Sequence, residues 1–207
     1  MDFSVIQNEV RDFLAHDTTG HDYWHSVRVY NNARTLAQSE KCDEEIVGLA
    51  ALLHDVDDRK LFATADYDNA KRIMVKCGID ADVREKVVNI ISEVSFRGTD
   101  SVVPDSIEGK VVQDADRLDA MGAIGIARTF TYGGSRGRKM YDPDIKPNTH
   151  MDAYAYLNNQ GTSLNHFYEK LLLLKDMMNT DAARKIAEKR DRYMKEFLNE
   201  FIEECNI

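Results

Sequence analysis

The chain has 207 residues, 43% of them hydrophobic, and a formal charge of −9 at neutral pH, enough sequence for one substantial core. The acidic balance argues against a nucleic-acid duplex as partner, and Cys42, Cys77 and Cys205 form no CxxC and read as reduced thiols. No apolar stretch approaches the roughly 20 residues of a membrane span, and the acidic, interrupted "MDFSVIQNEVRDFLAHD" is no signal peptide, so the expectation is a single cytoplasmic domain over residues 1–207 with no membrane partner.

Helical periodicity runs through most of the chain. Phe3, Ile6, Val10 and Phe13–Leu14 recur at three- and four-residue spacings, which predicts a helix over 3–15. A second follows over about 22–39, with Trp24, Val27 and Leu36 among its apolar residues. The third starts at Asp43, a candidate N-cap, and runs through "EEIVGLAALLHD". Its apolar residues continue all the way round, as in a helix at the centre of a core. Further helices are predicted over about 65–77, 80–94, 105–118 and 119–131. The sixth has Asp105 and Glu108 at capping-box spacing. Residues 132–148, with three glycines and two prolines, read as a loop. Two last helices, near 162–177 and 180–204, complete an all-α fold.

Chemistry concentrates where polar residues sit against this apolar pattern. The third helix ends in "LLHDVDD", which puts His54 and Asp55 directly after core residues. Such a pair must be hydrogen-bonded, ion-paired or metal-bound, because leaving it dry costs several kcal/mol. Consecutive helical residues point about 100° apart, so both side chains can reach one ion beyond the helix end. Two groups elsewhere offer partners. His21 and His25 are four residues apart in "HDYWHSVRV", and Asp114, Asp116 and Asp119 flank the apolar Val111, Val112, Ala115 and Leu118.

"HSVRV" at 25–29, "LLHD" at 52–55 and "ADRLDA" at 115–120 resemble, in order and spacing, the HD-domain metal-dependent phosphohydrolases. That likeness covers about residues 20–132. "IGIARTFTYGG" and "NHFYEKLLLLKD" extend it to a subgroup of small, stand-alone bacterial HD hydrolases. The resemblance implies a compact all-α bundle of the HD type, with residues 150–207 adding helices to the metal-binding core. It also implies His25, His54, Asp55 and Asp116 as ligands of one divalent ion. A mixed imidazole and carboxylate set suits Mn²⁺ first, with Mg²⁺, Fe²⁺, Co²⁺, Ni²⁺ or Zn²⁺ as other occupants. No histidine lies between Asp55 and Asp116, which argues for a single metal rather than the two of the cyclic-nucleotide phosphodiesterases and di-iron oxygenases.

The implied activity is hydrolysis of a phosphorylated small molecule, foremost a nucleotide, by attack of a metal-activated water on phosphorus. Asp58, one helical turn past His54, is the candidate base. The guanosine-tetraphosphate hydrolases carry HDxxED here; this chain reads "HDVDDR", with Arg59 where their Asp stands, which speaks against that substrate. Candidate substrate-binding residues are His21, Lys60 and, from "GGSRGRK", Arg136, Arg138 and Lys139. His166 and Lys170 form a further i, i+4 pair. The alternatives are a nucleoside-triphosphate pyrophosphohydrolase, a non-catalytic metal- and nucleotide-binding module, and a purely structural role for the His-Asp pair.

Overall fold

The structure, a computed structural model, describes residues 3–17, 20–58, 62 and 66–205. All regular structure among them is helical, and the chain divides into two compact units.

The first unit comprises Met1–Asp17, His21–Ser95 and Val102–Asp116. It contains α1 (Ser4–Phe13), α2 (Tyr23–Ala37), α3 (Glu44–Leu53), α4 (Asp68–Lys76), α5 (Ala81–Val94) and α6 (Ile107–Asp119) as far as Asp116. At its centre is α3, where every residue from Ile46 to Leu53 is buried. This helix packs against α1, α2 and α5, so the all-round apolar pattern has neighbours on each side. Each fully buried Leu or Val there contributes about 1.5–3 kcal/mol. Asp43 caps it as predicted, accepting from the backbone N–H of Glu45 and Ile46 at 2.9 and 3.2 Å. Gly48 sits at a close approach, where a Cβ would lie 2.7 Å from the tip of the Phe3 ring and 3.1 Å from the Tyr30 ring.

The start of α6 differs from the predicted capping box. Ser106 Oγ accepts from the Gly109 N–H, while the Glu108 carboxylate accepts instead from the Asp43 N–H, 65 residues away. Glu108 thus ties α6 to the start of α3. The apolar side of α6 is as expected, with Val111, Val112 and Ala115 fully buried.

The second unit comprises Thr18–Gly20, Phe96–Ser101 and Arg117–Ile207. Its main helices are α7 (Gly122–Ser135) and α9 (Asp181–Cys205), with a short α8 (Ala153–Leu157) that periodicity did not reveal. Phe130, Phe167, Phe197 and Phe201 pack their rings 5.8–6.2 Å apart between these elements. Residues 132–135, predicted as loop, are the last turn of α7. Of this turn's two glycines Gly133 has a steric reason, because a Cβ there would lie 1.9 Å from Ser163 Oγ. The helix predicted over 162–177 is instead a π-helical turn (Phe167–Leu171) followed by a 3₁₀ turn (Leu174–Met177). Buried Glu169 in that π turn accepts from the Asn148 N–H and the Asn159 amide, which straps the preceding long loop to the unit.

Candidate metal centre

Three helices of the first unit supply the candidate ligands. Asp22 caps α2, its carboxylate taking the His25 N–H at 2.8 Å, which places His25 in the first turn. His54 is the C-cap of α3, directly after Leu53 and still in helical conformation, and Asp55 follows in the turn. Asn32 of α2 donates to the Ala115 carbonyl at 3.4 Å and so ties α2 to α6 beside Asp116.

These side chains converge. His25 Nε2 lies 3.1 Å from His54 Nε2, 3.1 Å from Asp55 Oδ2 and 3.5 Å from Asp116 Oδ1. His54 Nε2 lies 3.4 Å from Asp55 Oδ1 and 3.6 Å from Asp116 Oδ1. The side chains of His25, His54 and Asp55 are 1%, 3% and 7% exposed, whereas Asp116 keeps 23%, so the cluster opens on the Asp116 side.

Two details show that this donor set fits a divalent cation. First, His54 Nδ1 sits 2.9 Å from the Ala51 carbonyl, one turn back on α3. That oxygen can only accept, so Nδ1 carries the proton, and in the neutral ring the Nε2 lone pair faces the cluster. Second, Asp55 Oδ2 is buried 3.1 Å from His25 Nε2 and makes no hydrogen bond among the described residues. A buried carboxylate oxygen in that position costs free energy unless something positive meets it. Among the described residues, His25, His54 and Asp116 each bring one ligand atom within 4.8 Å of the others, a group that could hold a metal ion.

The electrostatics of the cluster follow from the same contacts. Burial pulls the His54 imidazolium down, but Asp55, Asp116 and the Ala51 carbonyl outweigh it and raise its pKa from 6.5 to about 9. Burial pushes Asp55 up, and the His54, His25 and His21 charges overcome it, holding the carboxyl well below its usual range. Asp116 is likewise lowered, burial being outweighed by its hydrogen bond to His54 and the charges of both histidines.

The sign for stability is therefore fixed. A raised His54 stabilises the metal-free fold fully below pH 6.5, and that stabilisation is lost as pH rises through about 9. The lowered carboxylates stabilise it above their ordinary 3.8, and this is lost as pH falls through their depressed values. Metal binding runs the other way, since His54 must shed its proton to coordinate. Melts with chelator are expected to show Tm falling between pH 6.5 and 9, while the Mn²⁺-induced rise in Tm grows over that interval. A metal-induced rise that shrinks with pH would contradict this placement of the His54 proton.

Other candidate residues have varied placements. His21 is half-buried with its ring 5.8 Å from that of His25, edge to face, and its N–H donates to Asp17 Oδ1. Asp58 is half-buried, its N–H donating to the Asp55 carbonyl at 3.1 Å, one turn past the dyad. Lys60 lies outside the described residues. Arg136, Arg138 and Lys139 belong to the second unit, where they have local partners. Both guanidinium groups lie over the Tyr132 ring, Arg138 donates to the Asn159 carbonyl, and Lys139 pairs with Asp142 at 2.6 Å. Lys170 of the same unit sits over the Phe96 ring, and His166 packs beside Tyr156. Of the neighbouring acids, Asp114 is fully buried and Asp119 pairs with Arg128 at 3.0 Å.

Asp57 is the residue whose role the sequence hid. Its two carboxylate oxygens take the Asn69 and Ala70 N–H groups at 3.1 and 2.9 Å, capping α4 from twelve residues upstream.

A model of the HD domain matches residues 23–121, a span that includes all four converging residues. Over 203 aligned residues the chain is 40% identical to YpgQ of Bacillus subtilis (strain 168), taking in 94% of this chain and 89% of that protein. A crystal structure of YpgQ in complex with ADP superposes with a TM-score of 0.76 at 36% identity, covering 96% of this chain and 97% of that one. A Lactobacillus plantarum protein of known structure has a TM-score of 0.87 at 40% identity, covering 99% and 96%. An HD-superfamily hydrolase from Bacillus thuringiensis is 44% identical with a TM-score of 0.72, covering 97% and 94%. HD domains bind divalent metal ions, in keeping with the donor set above. Alike in fold along nearly its whole length and carrying the His-Asp pair that names the domain, the chain belongs to the HD-domain family of hydrolases.

Proposed function

We propose that the protein hydrolyses a phosphate bond of a nucleotide, using one divalent cation, foremost Mn²⁺, held by His25, His54, Asp55 and Asp116. The observation that carries this reading is the buried Asp55 carboxylate between two imidazoles, its Oδ1 facing His54 and its Oδ2, beside His25, without a hydrogen bond among the described residues. A cation there supplies Lewis-acid charge to a phosphoryl oxygen and lowers the pKa of a neighbouring water. The rest is the work of the chain's own side chains. The Ala51 carbonyl keeps His54 in the coordinating tautomer. Asp116, the most open of the four, marks the side from which substrate arrives. Asp58 accepts the proton of the attacking water, and His21, beside His25, meets a phosphate oxygen. With a net charge of −9, the protein has to collect phosphates through such local positive groups. Lys60, Arg136, Arg138 and Lys139 are the remaining proposed contacts, and a phosphate reaching Lys139 has to compete with Asp142.

The ADP bound by YpgQ supports a nucleotide as the ligand. Because ADP carries two phosphates, it also favours the second reading, pyrophosphate release from a nucleoside triphosphate. Incubating the Mn²⁺-loaded protein with nucleoside mono-, di- and triphosphates and resolving products by anion exchange separates the two. Orthophosphate from monophosphates supports a phosphatase, and pyrophosphate from triphosphates a pyrophosphohydrolase. No product from any of them, with Mn²⁺ bound, contradicts both and leaves a binding module.

A further inference from the structure

Trp24 is the chain's single tryptophan, and 61% of it is exposed. Tryptophan is among the residues most buried on average, so an open indole calls for a reason. It also stands at a particular place, in the first turn of α2, directly before His25. Trp24 is the second residue of α2, three residues after His21 and two after the capping Asp22. The His21 ring in turn meets the His25 ring edge-on at 5.8 Å. An open aromatic face, a half-buried imidazole and the buried donor cluster therefore follow one another along the start of one helix.

The indole is backed by a rigid neighbour. Tyr23 packs against it edge-on, with ring centroids 5.3 Å apart. Arg11 holds Tyr23 twice, donating to its hydroxyl at 3.1 Å and lying 4.6 Å from its ring centre. This support limits the freedom the indole loses on stacking with a ligand, which is the way preorganisation raises affinity. A nucleotide has the matching layout, with phosphates at one end, a sugar between, and a planar base at the other.

We infer that Trp24 is the stacking platform for the nucleobase of a nucleotide whose phosphates meet the His21–His25 end of the cluster. This rests on the proposed nucleotide hydrolysis and adds to it a recognition element for the base. Aromatic stacking accepts any base face, so Trp24 is expected to favour nucleotides over sugar phosphates without strongly selecting one base.

The single tryptophan makes the test direct. The Mn²⁺-loaded protein is titrated with ADP and with ribose 5-phosphate, following tryptophan emission and, in parallel, heat of binding. ADP is expected to change the emission at the same concentration at which calorimetry shows binding, and ribose 5-phosphate to bind more weakly without changing it. By calorimetry, Trp24→Ala should weaken ADP about ten-fold while leaving ribose 5-phosphate unchanged, and Trp24→Phe should restore most of the loss. Circular dichroism melts confirm that both variants fold. ADP binding with silent emission, or undiminished ADP affinity in Trp24→Ala, overturns the platform and leaves nucleotide binding intact. Absence of ADP binding to the metal-loaded protein overturns both.

Discussion

Asp55→Ala is expected to weaken divalent-cation binding by at least about 100-fold and to abolish turnover, while the metal-free protein still folds. The large effect follows from position. Asp55 approaches both histidines, at 3.1 and 3.4 Å, and its Oδ2 has no other partner to satisfy it among the described residues. Removing one partner of a buried ion pair ordinarily costs about 3–5 kcal/mol, because the other charge is left stranded. Here the loss should be smaller, since His54 can shed its proton once the carboxylate that raises its pKa is gone. Calorimetric titration with Mn²⁺, product assay and a chelator-treated melt together check the prediction. Turnover retained in this variant would remove the cluster from the chemistry.

Asp57 and Asp58, adjacent in sequence, are expected to separate cleanly. Asp58→Ala should lower kcat by about 10²- to 10⁴-fold with little change in Tm, as for loss of a proton acceptor. Asp57→Ala should do the reverse. It deprives the α4 N-terminus of two charge-assisted hydrogen bonds, at 3.1 and 2.9 Å, and leaves buried N–H groups without an acceptor. The cost is about 3 kcal/mol, or about 10 °C in Tm for a chain of this size. Measuring kcat and Tm for both variants side by side decides it. If Asp58→Ala kept full kcat, the proton acceptor would have to be another group.

Residues that act through local pattern were legible in the sequence. The all-round apolar run of α3 marked a central helix, and Asp43 marked its start. The four converging residues were legible as well, through the order and spacing of three short motifs, and they do come together in one cluster. What stayed hidden depends on groups distant in sequence. Asp57 caps a helix that begins eleven residues later, and Glu108 leaves its own helix to serve the Asp43 N–H. Gly133 and Gly134 read as loop because glycine is a poor helix former, yet the last turn of α7 needs the missing Cβ where Ser163 approaches. The π and 3₁₀ turns after residue 166 keep helical apolar spacing while changing the hydrogen bonds, a distinction that periodicity does not carry.

The cations of the 136–139 segment illustrate the same limit. Clustered Arg and Lys among glycines read in sequence as candidate substrate contacts, but partner choice is three-dimensional. Asp142 satisfies Lys139, the Asn159 carbonyl satisfies Arg138, and Tyr132 lies beneath both arginines.

The central claim is that His25, His54, Asp55 and Asp116 hold one divalent cation together. Anomalous diffraction from crystals grown with Mn²⁺ tests it most directly. The account predicts one strong peak, about 2.0–2.4 Å from His25 Nε2, His54 Nε2 and an oxygen of each carboxylate. A cluster without a peak in Mn²⁺-bearing crystals, or an ion that leaves Asp55 uncoordinated, would contradict it.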